Sequence, residues 1–202
     1  MNLANKLTIF RIILVPIMML IPVFNLQGEL WGIPLTYLIM DFIFILASIT
    51  DKLDGYIARS RNQITTFGKF LDPIADKILV IVAMLMLVEV DKIPYWIPAI
   101  VVIREFMVSG YRLVAVQKDG NVIAASIWGK IKTATQMVGL AVTFIDPNAF
   151  GAIFKVSSFE NGFYFILNLI TTIMLSVSVI ATIFSGIDYL KGSKELFKED
   201  LK

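Results

Sequence analysis

Apolar runs near the length of a membrane-crossing helix recur six times along the chain, separated by short polar or turn-forming segments. About 20 apolar residues in helical conformation span the hydrocarbon core of a bilayer. The predicted spans are Thr8–Phe24, Pro34–Ala58, Gly68–Val90, Pro94–Val116, Ala124–Phe144 and Phe163–Leu190. The pattern predicts an all-α integral membrane protein with six transmembrane helices. We expect a single domain over residues 1–202, with a short N-terminal interfacial segment before the first span.

The basic residues are distributed unevenly between the two ends of these spans. Six spans place both termini on one side, and that side collects 16 of the 18 lysines and arginines; the opposite side keeps only Lys92 and Lys155. Lysine and arginine favour the cytoplasmic side of membrane proteins. We therefore expect both termini on the cytoplasmic side of the membrane.

The composition agrees with a membrane protein and limits the side chains that could take part in catalysis. Of the 202 residues, 57% are hydrophobic and 17% charged, as expected for a polytopic membrane protein. The absence of cysteine excludes disulfides and thiolate metal sites, and there is no histidine. Proton transfer near neutral pH therefore falls to a carboxylate, a lysine, a tyrosine or water. The small net charge of +2 gives no indication of a nucleic-acid partner.

Four carboxylates interrupt the second and third spans: Asp51, Asp54, Asp72 and Asp76. An ionised side chain at membrane depth costs roughly 2.5–3.5 kcal/mol on insertion scales, so the group needs a compensating partner. Clustered carboxylate oxygens suit divalent hard cations. Because the four residues lie at the cytoplasmic ends of their spans, the site is expected to open to the cytoplasm.

The spacing places each pair on one helix face. Asp51 and Asp54 are three residues apart, and Asp72 and Asp76 are four apart; both are same-face spacings. Two such helices joined by a short loop could hold two metal ions about 3.5–4 Å apart. Arg59, just beyond the first pair, offers a forked cation for phosphate oxygens.

The spacing alone leaves three interpretations open: metal-assisted catalysis, a proton or cation relay in a transporter, and structural ion pairing. Lys52 and Lys77 each follow an aspartate of the cluster. Neighbouring positions on a helix do not face each other, so both lysines are predicted to project away from the carboxylates. This orientation makes structural ion pairing a weaker interpretation than the other two.

The motif Asp-x2-Asp-Gly-x2-Ala-Arg-x8-Gly-x3-Asp-x3-Asp, which fills residues 51–76, resembles the signature of the CDP-alcohol phosphatidyltransferases. The segments at residues 5–11, 103–112 and 128–133 are similar to the bacterial branch of that family that makes phosphatidylglycerol phosphate. The resemblance implies a six-span fold and transfer of the phosphatidyl group of CDP-diacylglycerol to an alcohol, with release of CMP. For this branch the implied acceptor is sn-glycerol 3-phosphate.

The resemblance also implies residue roles. Asp51, Asp54, Asp72 and Asp76 would hold Mg²⁺ or Mn²⁺, with two ions expected, and Asp76 would also be the general base. The implied CDP-binding residues are Asn5, Thr8, Arg11, Gly55, Ala58, Arg59 and Gly68. The resemblance further implies membrane lipids and a second copy of the chain, in a homodimer, as partners, and a bacterial cell membrane as the location.

Four basic residues near the cytoplasmic ends of spans four and five are candidates for the acceptor's phosphate: Arg104, Arg112, Lys130 and Lys132. The alternative for each is anchoring to anionic lipid at the membrane surface. Arg104 follows Ile-Val-Val-Ile, where an unpaired guanidinium would be costly, and Glu105 could balance part of its charge. Lys130 and Lys132, two apart, do not share a helix face, so one of them is expected to point inward.

Two alternatives remain for the activity. The same chemistry could use another acceptor, such as phosphatidylglycerol, inositol phosphate or serine. The same carboxylates could also belong to a membrane cation transporter.

Overall fold

The computed structural model describes residues 3–60, 66–119, 126–155 and 162–196, with side chains over 5–55, 71–115, 126–155 and 162–191. These residues contain six α-helices, one for each predicted span. They are α1 (Leu3–Leu20), α2 (Leu35–Ser60), α3 (Thr66–Glu89), α4 (Trp96–Asp119), α5 (Ile127–Ile145) and α6 (Gly162–Leu196). Short 3₁₀ helices lie at Ile21–Phe24 and Ala152–Phe154.

The helix ends differ from the predicted ones for local reasons. Helix α1 begins at Leu3, so most of the segment predicted as interfacial is continuous with the first helix. Helix α5 begins at Ile127 because Ser126 caps it: the Ser126 hydroxyl accepts a hydrogen bond from the backbone N–H of Gly129 at 3.3 Å. Such a cap satisfies one of the unpaired donors at a helix N-terminus.

Helices α5 and α6 make the most extensive contact in the bundle, while α1 packs on α2 and α3, and α4 packs on α6. The close approach of α5 to α6 depends on Gly139, where an added Cβ would lie 2.9 Å from Cδ2 of Leu175. Small residues allow helix backbones to approach in this way. The packing brings side chains from all six described helices towards the end of the bundle that holds the aspartates.

The centre of the bundle is apolar. The rings of Phe44 and Phe144, from α2 and α5, lie 5.9 Å apart. Around them the helices bury side chains that are inaccessible to solvent, among them Met18, Leu79, Met84, Leu87, Leu140 and Leu175. This core fixes the relative positions of α1, α2 and α3, the helices that carry the aspartates and their partners.

A two-residue hairpin joins α1 to α2 at the opposite end of the bundle. Strand β1 (Glu29–Leu30) pairs antiparallel with β2 (Ile33–Pro34), and both turn residues, Trp31 and Gly32, have positive φ angles, as in a type I′ turn. Tyr164 of α6 donates a hydrogen bond to the Trp31 carbonyl at 2.8 Å. A Cβ at Gly32 would lie 2.5 Å from the Tyr164 hydroxyl, so the turn requires glycine for its backbone conformation and for space.

Large apolar side chains are exposed on the outside of all six helices, for example Ile13, Phe42, Leu85, Phe106, Val138 and Ile180. Soluble monomers rarely expose apolar surface on this scale. By length and composition, two helices of the described residues could cross a membrane, over Asn5–Phe24 and Gly162–Lys191.

Candidate active site

Thr8 of α1 connects an aspartate of α2 with one of α3, and Arg11 of α1 pairs with both aspartates of α2. The Thr8 hydroxyl lies 2.7 Å from Oδ1 of Asp72 and 3.4 Å from Oδ2 of Asp54. Arg11, one turn further along α1, pairs with Asp54 and, through Nη1, with Oδ1 of Asp51 at 2.6 Å. The two helices therefore direct three of the four carboxylates towards α1.

Arg11 is completely inaccessible to solvent, and Asp54 is 3% exposed. A buried guanidinium requires anionic partners, and the two ends of its fork reach Asp51 and Asp54, which the three-residue spacing places side by side. Its Nε is buried without a hydrogen-bond partner among the described residues. The site thus holds a fixed positive charge among its carboxylates.

Asp76, the fourth carboxylate, lies on the wall of a cavity of about 460 Å³ between α3, α4 and α5. Asp76 interacts electrostatically with Asp51 and Arg11 on the aspartate side. It also interacts with Glu105 and Lys132 on the cavity side. Asp76 therefore links the aspartate cluster to the cavity.

The cavity's basic wall is organised by Glu105. Its Oε1 accepts hydrogen bonds from Nη1 of Arg104 at 2.8 Å and from Nζ of Lys132 at 2.5 Å. The three side chains are 8–14% exposed. Charge-assisted hydrogen bonds of this kind are strong when shielded from water. Glu105 therefore fixes both cations while leaving an excess positive charge.

Two residues of α6, Ser185 and Tyr189, hold the arginines, and sequence reasoning did not identify either. Ser185 accepts a hydrogen bond from Nη2 of Arg104. The Tyr189 hydroxyl bonds to Nη2 of Arg112 at 2.5 Å, and the Tyr189 ring lies 5.4 Å from that guanidinium, within the range of a cation–π contact. Their four-residue spacing, which puts both on one face of α6, was the available signal.

The structure separates the two lysines of α5. Lys132 is 6% exposed and lines the cavity, whereas Lys130 is exposed and is not among the cavity-lining residues. The prediction that one of the two points inward agrees with this arrangement. This cavity gives no support to the assignment of Lys130 to the phosphate pocket, which stays a prediction, because residues two apart on a helix lie on different faces.

The prediction that Lys52 and Lys77 both project away from the aspartates holds for Lys52, which is exposed. Lys77 lines the same cavity as Asp76, but its ammonium donates a hydrogen bond to Ser109 of α4 rather than to an aspartate. A lysine side chain is long and flexible, and α4 provides a polar partner on the neighbouring face of α3.

The residues implied for CDP binding are only partly within the described region. Asn5 is buried on α1 one turn before Thr8, and the backbone of Gly55 hydrogen-bonds to Asp54. The side chains of Ala58 and Arg59 and the surroundings of Gly68 lie outside the part whose side chains the structure describes. Thr8, Arg11 and Gly55 thus contact the aspartate cluster.

The donors of the cluster are carboxylate and hydroxyl oxygens, the set that Mg²⁺ and Mn²⁺ prefer. Within the described residues, no three acidic side chains are close enough together to hold a metal ion. Thr8 and Arg11 instead bridge Asp51, Asp54 and Asp72. The donor chemistry fits a hard divalent cation, and Arg11 occupies carboxylate oxygens that such a cation would use.

Known proteins are similar to this chain over most of its length. The sequence profile of the family described as CDP-alcohol phosphatidyltransferase matches residues 1–184. A Bacillus subtilis protein named CDP-diacylglycerol–glycerol-3-phosphate 3-phosphatidyltransferase is 38% identical, over 98% of this chain and 97% of its own length. Proteins of the same name from Rickettsia bellii (37%, over 97% of each chain) and Haemophilus influenzae (36%, over 96% and 94%) are similar over nearly their full length. The chain therefore belongs to the CDP-alcohol phosphatidyltransferase family.

Proposed function

We propose that this protein transfers the phosphatidyl group of CDP-diacylglycerol to sn-glycerol 3-phosphate, giving phosphatidylglycerol phosphate and CMP. Similarity over nearly the full length to enzymes named for this reaction supports the proposal. The observation that carries it is that Asp76 lines one cavity together with Arg104 and Lys132. An acceptor with a hydroxyl at one end and a phosphate at the other suits such a cavity.

In the proposed reaction, the acceptor hydroxyl attacks the phosphorus that carries the diacylglycerol group. A new P–O bond forms, the P–O bond to the CMP phosphate breaks, and CMP leaves with the bond's electron pair. Asp76 accepts the hydroxyl proton as it attacks; a general base must lie within about 2.6–3.2 Å of the group that it deprotonates. Arg104, Arg112 and Lys132 hold the acceptor's phosphate, with Glu105 fixing two of these cations in place.

At the donor end, the aspartate cluster and α1 would receive the pyrophosphate. We propose that Asp51, Asp54, Asp72 and Asp76 bind two divalent ions, Mg²⁺ or Mn²⁺. Bound ions would neutralise the pyrophosphate and the charge that develops on the departing CMP. Arg11 contributes a further positive charge from the protein itself. The remaining CDP contacts are proposed for Asn5, Thr8, Gly55, Ala58, Arg59 and Gly68.

The proposed membrane arrangement has six spanning helices in one domain, with both termini and the active site on the cytoplasmic side. Exposed apolar side chains on every helix and the 16-to-2 division of basic residues support it. Labelling of single cysteines introduced at Lys6 and Lys155 tests it in intact cells, since the chain has no native cysteine. A membrane-impermeant reagent should reach position 155 and not position 6. We further propose that the protein is a homodimer, as the family resemblance implies.

The activity is tested with purified protein in detergent, supplied with CDP-diacylglycerol, glycerol 3-phosphate and Mg²⁺ or Mn²⁺. CMP release and formation of the phosphorylated lipid are expected, with loss of both when a chelator is added. A panel containing phosphatidylglycerol, inositol phosphate and serine identifies any other acceptor. Metal flux into proteoliposomes without CMP release would instead indicate the transporter alternative and reject the proposal.

A further inference from the structure

Lys77 brings a fourth cation into the cavity. It follows Asp76 on α3, and both side chains line the same space. Its ammonium donates a hydrogen bond to the Ser109 hydroxyl of α4. The partner on α4 fixes the direction in which this flexible side chain extends, across the cavity between the two helices.

The hydroxyl proton of Ser109 already takes part in a hydrogen bond. Its hydroxyl donates to the backbone carbonyl of Glu105 at 2.6 Å, one helical turn earlier. The lone pairs of the same oxygen are therefore available to Lys77. An ammonium group has three N–H donors, so this contact leaves two donors of Lys77 for another acceptor.

Each of the other three cations in the cavity contacts a carboxylate or an aromatic side chain. Arg104 and Lys132 share the Glu105 carboxylate, and Arg112 bonds to the Tyr189 hydroxyl and contacts its ring. For Lys77, the hydrogen-bond partner within the described part of the chain is the neutral Ser109 hydroxyl. A cation with a neutral partner in a partly enclosed space interacts strongly with an incoming anion.

We propose that Lys77, positioned by Ser109, binds the phosphate of the acceptor. This inference rests on the proposed function and adds a residue to its acceptor site. A single turn of α3 then carries the base at Asp76 and a phosphate-binding group at Lys77. These two groups serve the two ends of an acceptor whose hydroxyl and phosphate are separated by a three-carbon chain.

The test compares Lys77→Met with Lys52→Met, a matched control, because Lys52 follows Asp51 as Lys77 follows Asp76 but is exposed. Loss of charge-assisted hydrogen bonds should raise the KM for glycerol 3-phosphate about ten- to hundredfold in Lys77→Met. The KM for CDP-diacylglycerol should stay unchanged and kcat should change less. Lys77→Arg should recover part of the affinity, and Lys52→Met should match the unsubstituted protein.

Ser109→Ala provides a second variant with little effect on packing. It should raise the KM for glycerol 3-phosphate several-fold and weaken the protection that this acceptor gives against thermal unfolding. An unchanged KM in Ser109→Ala and in folded Lys77→Met would overturn the role of Lys77. If Lys77→Met does not fold, an unchanged KM in Ser109→Ala alone would overturn it. Failure of the unsubstituted protein to release CMP with glycerol 3-phosphate is a separate result, which rejects the proposed function itself.

Discussion

Glu105 of α4 and Lys132 of α5 form an ion pair inside the cavity, with 2.5 Å between Oε1 and Nζ. The same oxygen also accepts from Arg104, so one carboxylate serves two cations. In the part of the chain that the structure describes, Nε of Arg104 is buried without a hydrogen-bond partner, although buried polar atoms are nearly always paired. The trio of Arg104, Glu105 and Lys132 therefore carries one more positive than negative charge and keeps one unsatisfied donor.

We expect Glu105→Gln to destabilise the protein by leaving Arg104 and Lys132 facing each other without a counter-charge. Removing one partner of a buried ion pair costs about 3–5 kcal/mol, and glutamine keeps the size and one acceptor oxygen. Thermal unfolding in detergent should show a lower Tm that glycerol 3-phosphate or inorganic phosphate partly restores. Glu29→Gln, at an exposed position, is the control. An unchanged Tm in Glu105→Gln would contradict this account of the trio.

Tyr189→Phe should weaken acceptor binding without affecting the chemical step. The variant removes the hydroxyl that bonds to Arg112 and keeps the ring beneath the guanidinium. A hydrogen bond to a charged group contributes about 1.5–3 kcal/mol. Because Arg112 is itself exposed, we expect only a several-fold rise in the KM for glycerol 3-phosphate. Steady-state kinetics at saturating CDP-diacylglycerol measure it.

Tyr95→Phe is the matched control for this variant, since Tyr95 is 77% exposed and lies in the connection between α3 and α4. It should leave both kinetic constants unchanged. Tyr189→Leu, which also removes the ring, should raise the KM further than Tyr189→Phe. Equal kinetics in all three variants would mean that Tyr189 does not position Arg112.

Asp76→Asn should abolish turnover because the amide cannot accept the acceptor's proton. Loss of a general base lowers rates by about 10²–10⁴. CMP release is the measurement, and the variant should be expressed and remain folded. Asp91→Asn is a suitable control: Asp91 is exposed at a positive φ angle, a conformation that asparagine adopts readily. Substantial activity in Asp76→Asn would exclude Asp76 as the base.

The helices and the aspartate pairs were predictable because both depend on local sequence. An apolar run of about 20 residues forms a helix in lipid whatever surrounds it, and a three- or four-residue spacing fixes a shared face. The hydrogen-bonding of Ser126 to Gly129, which moves the start of α5, is also local. The start of α5 is nevertheless difficult to predict, because the predicted span begins before the capping residue Ser126.

The partners of the cationic groups were not predictable in this way. Arg104 meets Ser185, and Arg112 meets Tyr189, across 81 and 77 residues of sequence. Such contacts depend on how α4 and α6 pack, and no short-range pattern encodes that packing. The same holds for Lys77, whose direction is decided by Ser109 on another helix. Local periodicity gives the face of a helix but not the reach of a long side chain.

Far from this site, the side chain of Lys92 caps the C-terminal end of α5. It lies in the connection between α3 and α4, is 6% exposed, and donates to the carbonyls of Thr143 at 3.1 Å and Phe144 at 2.8 Å. Its Nζ also lies 4.2 Å from the centre of the Tyr37 ring. The last carbonyls of a helix have no intrahelical partners, so the Lys92 side chain acts as a cap that joins α2, the α3–α4 connection and α5.

Burial lowers the pKa of Lys92 from 10.5 to about 8, against the opposing effect of Asp146 and Asp41. Between these two values the unfolded chain binds more protons at this position than the folded one. The contribution of Lys92 to the free energy of unfolding therefore rises with pH from about 8 to 10.5, by up to about 3 kcal/mol, and is lowest below pH 8.

Thermal unfolding of the unsubstituted protein and of Lys92→Met tests this dependence. As the pH rises from about 8 to 10.5, the Tm of the unsubstituted protein should increase relative to that of Lys92→Met. Lys155→Met, at an exposed position on the same side, should give a difference independent of pH. A flat difference for Lys92→Met would mean that the ammonium is not destabilised by its burial.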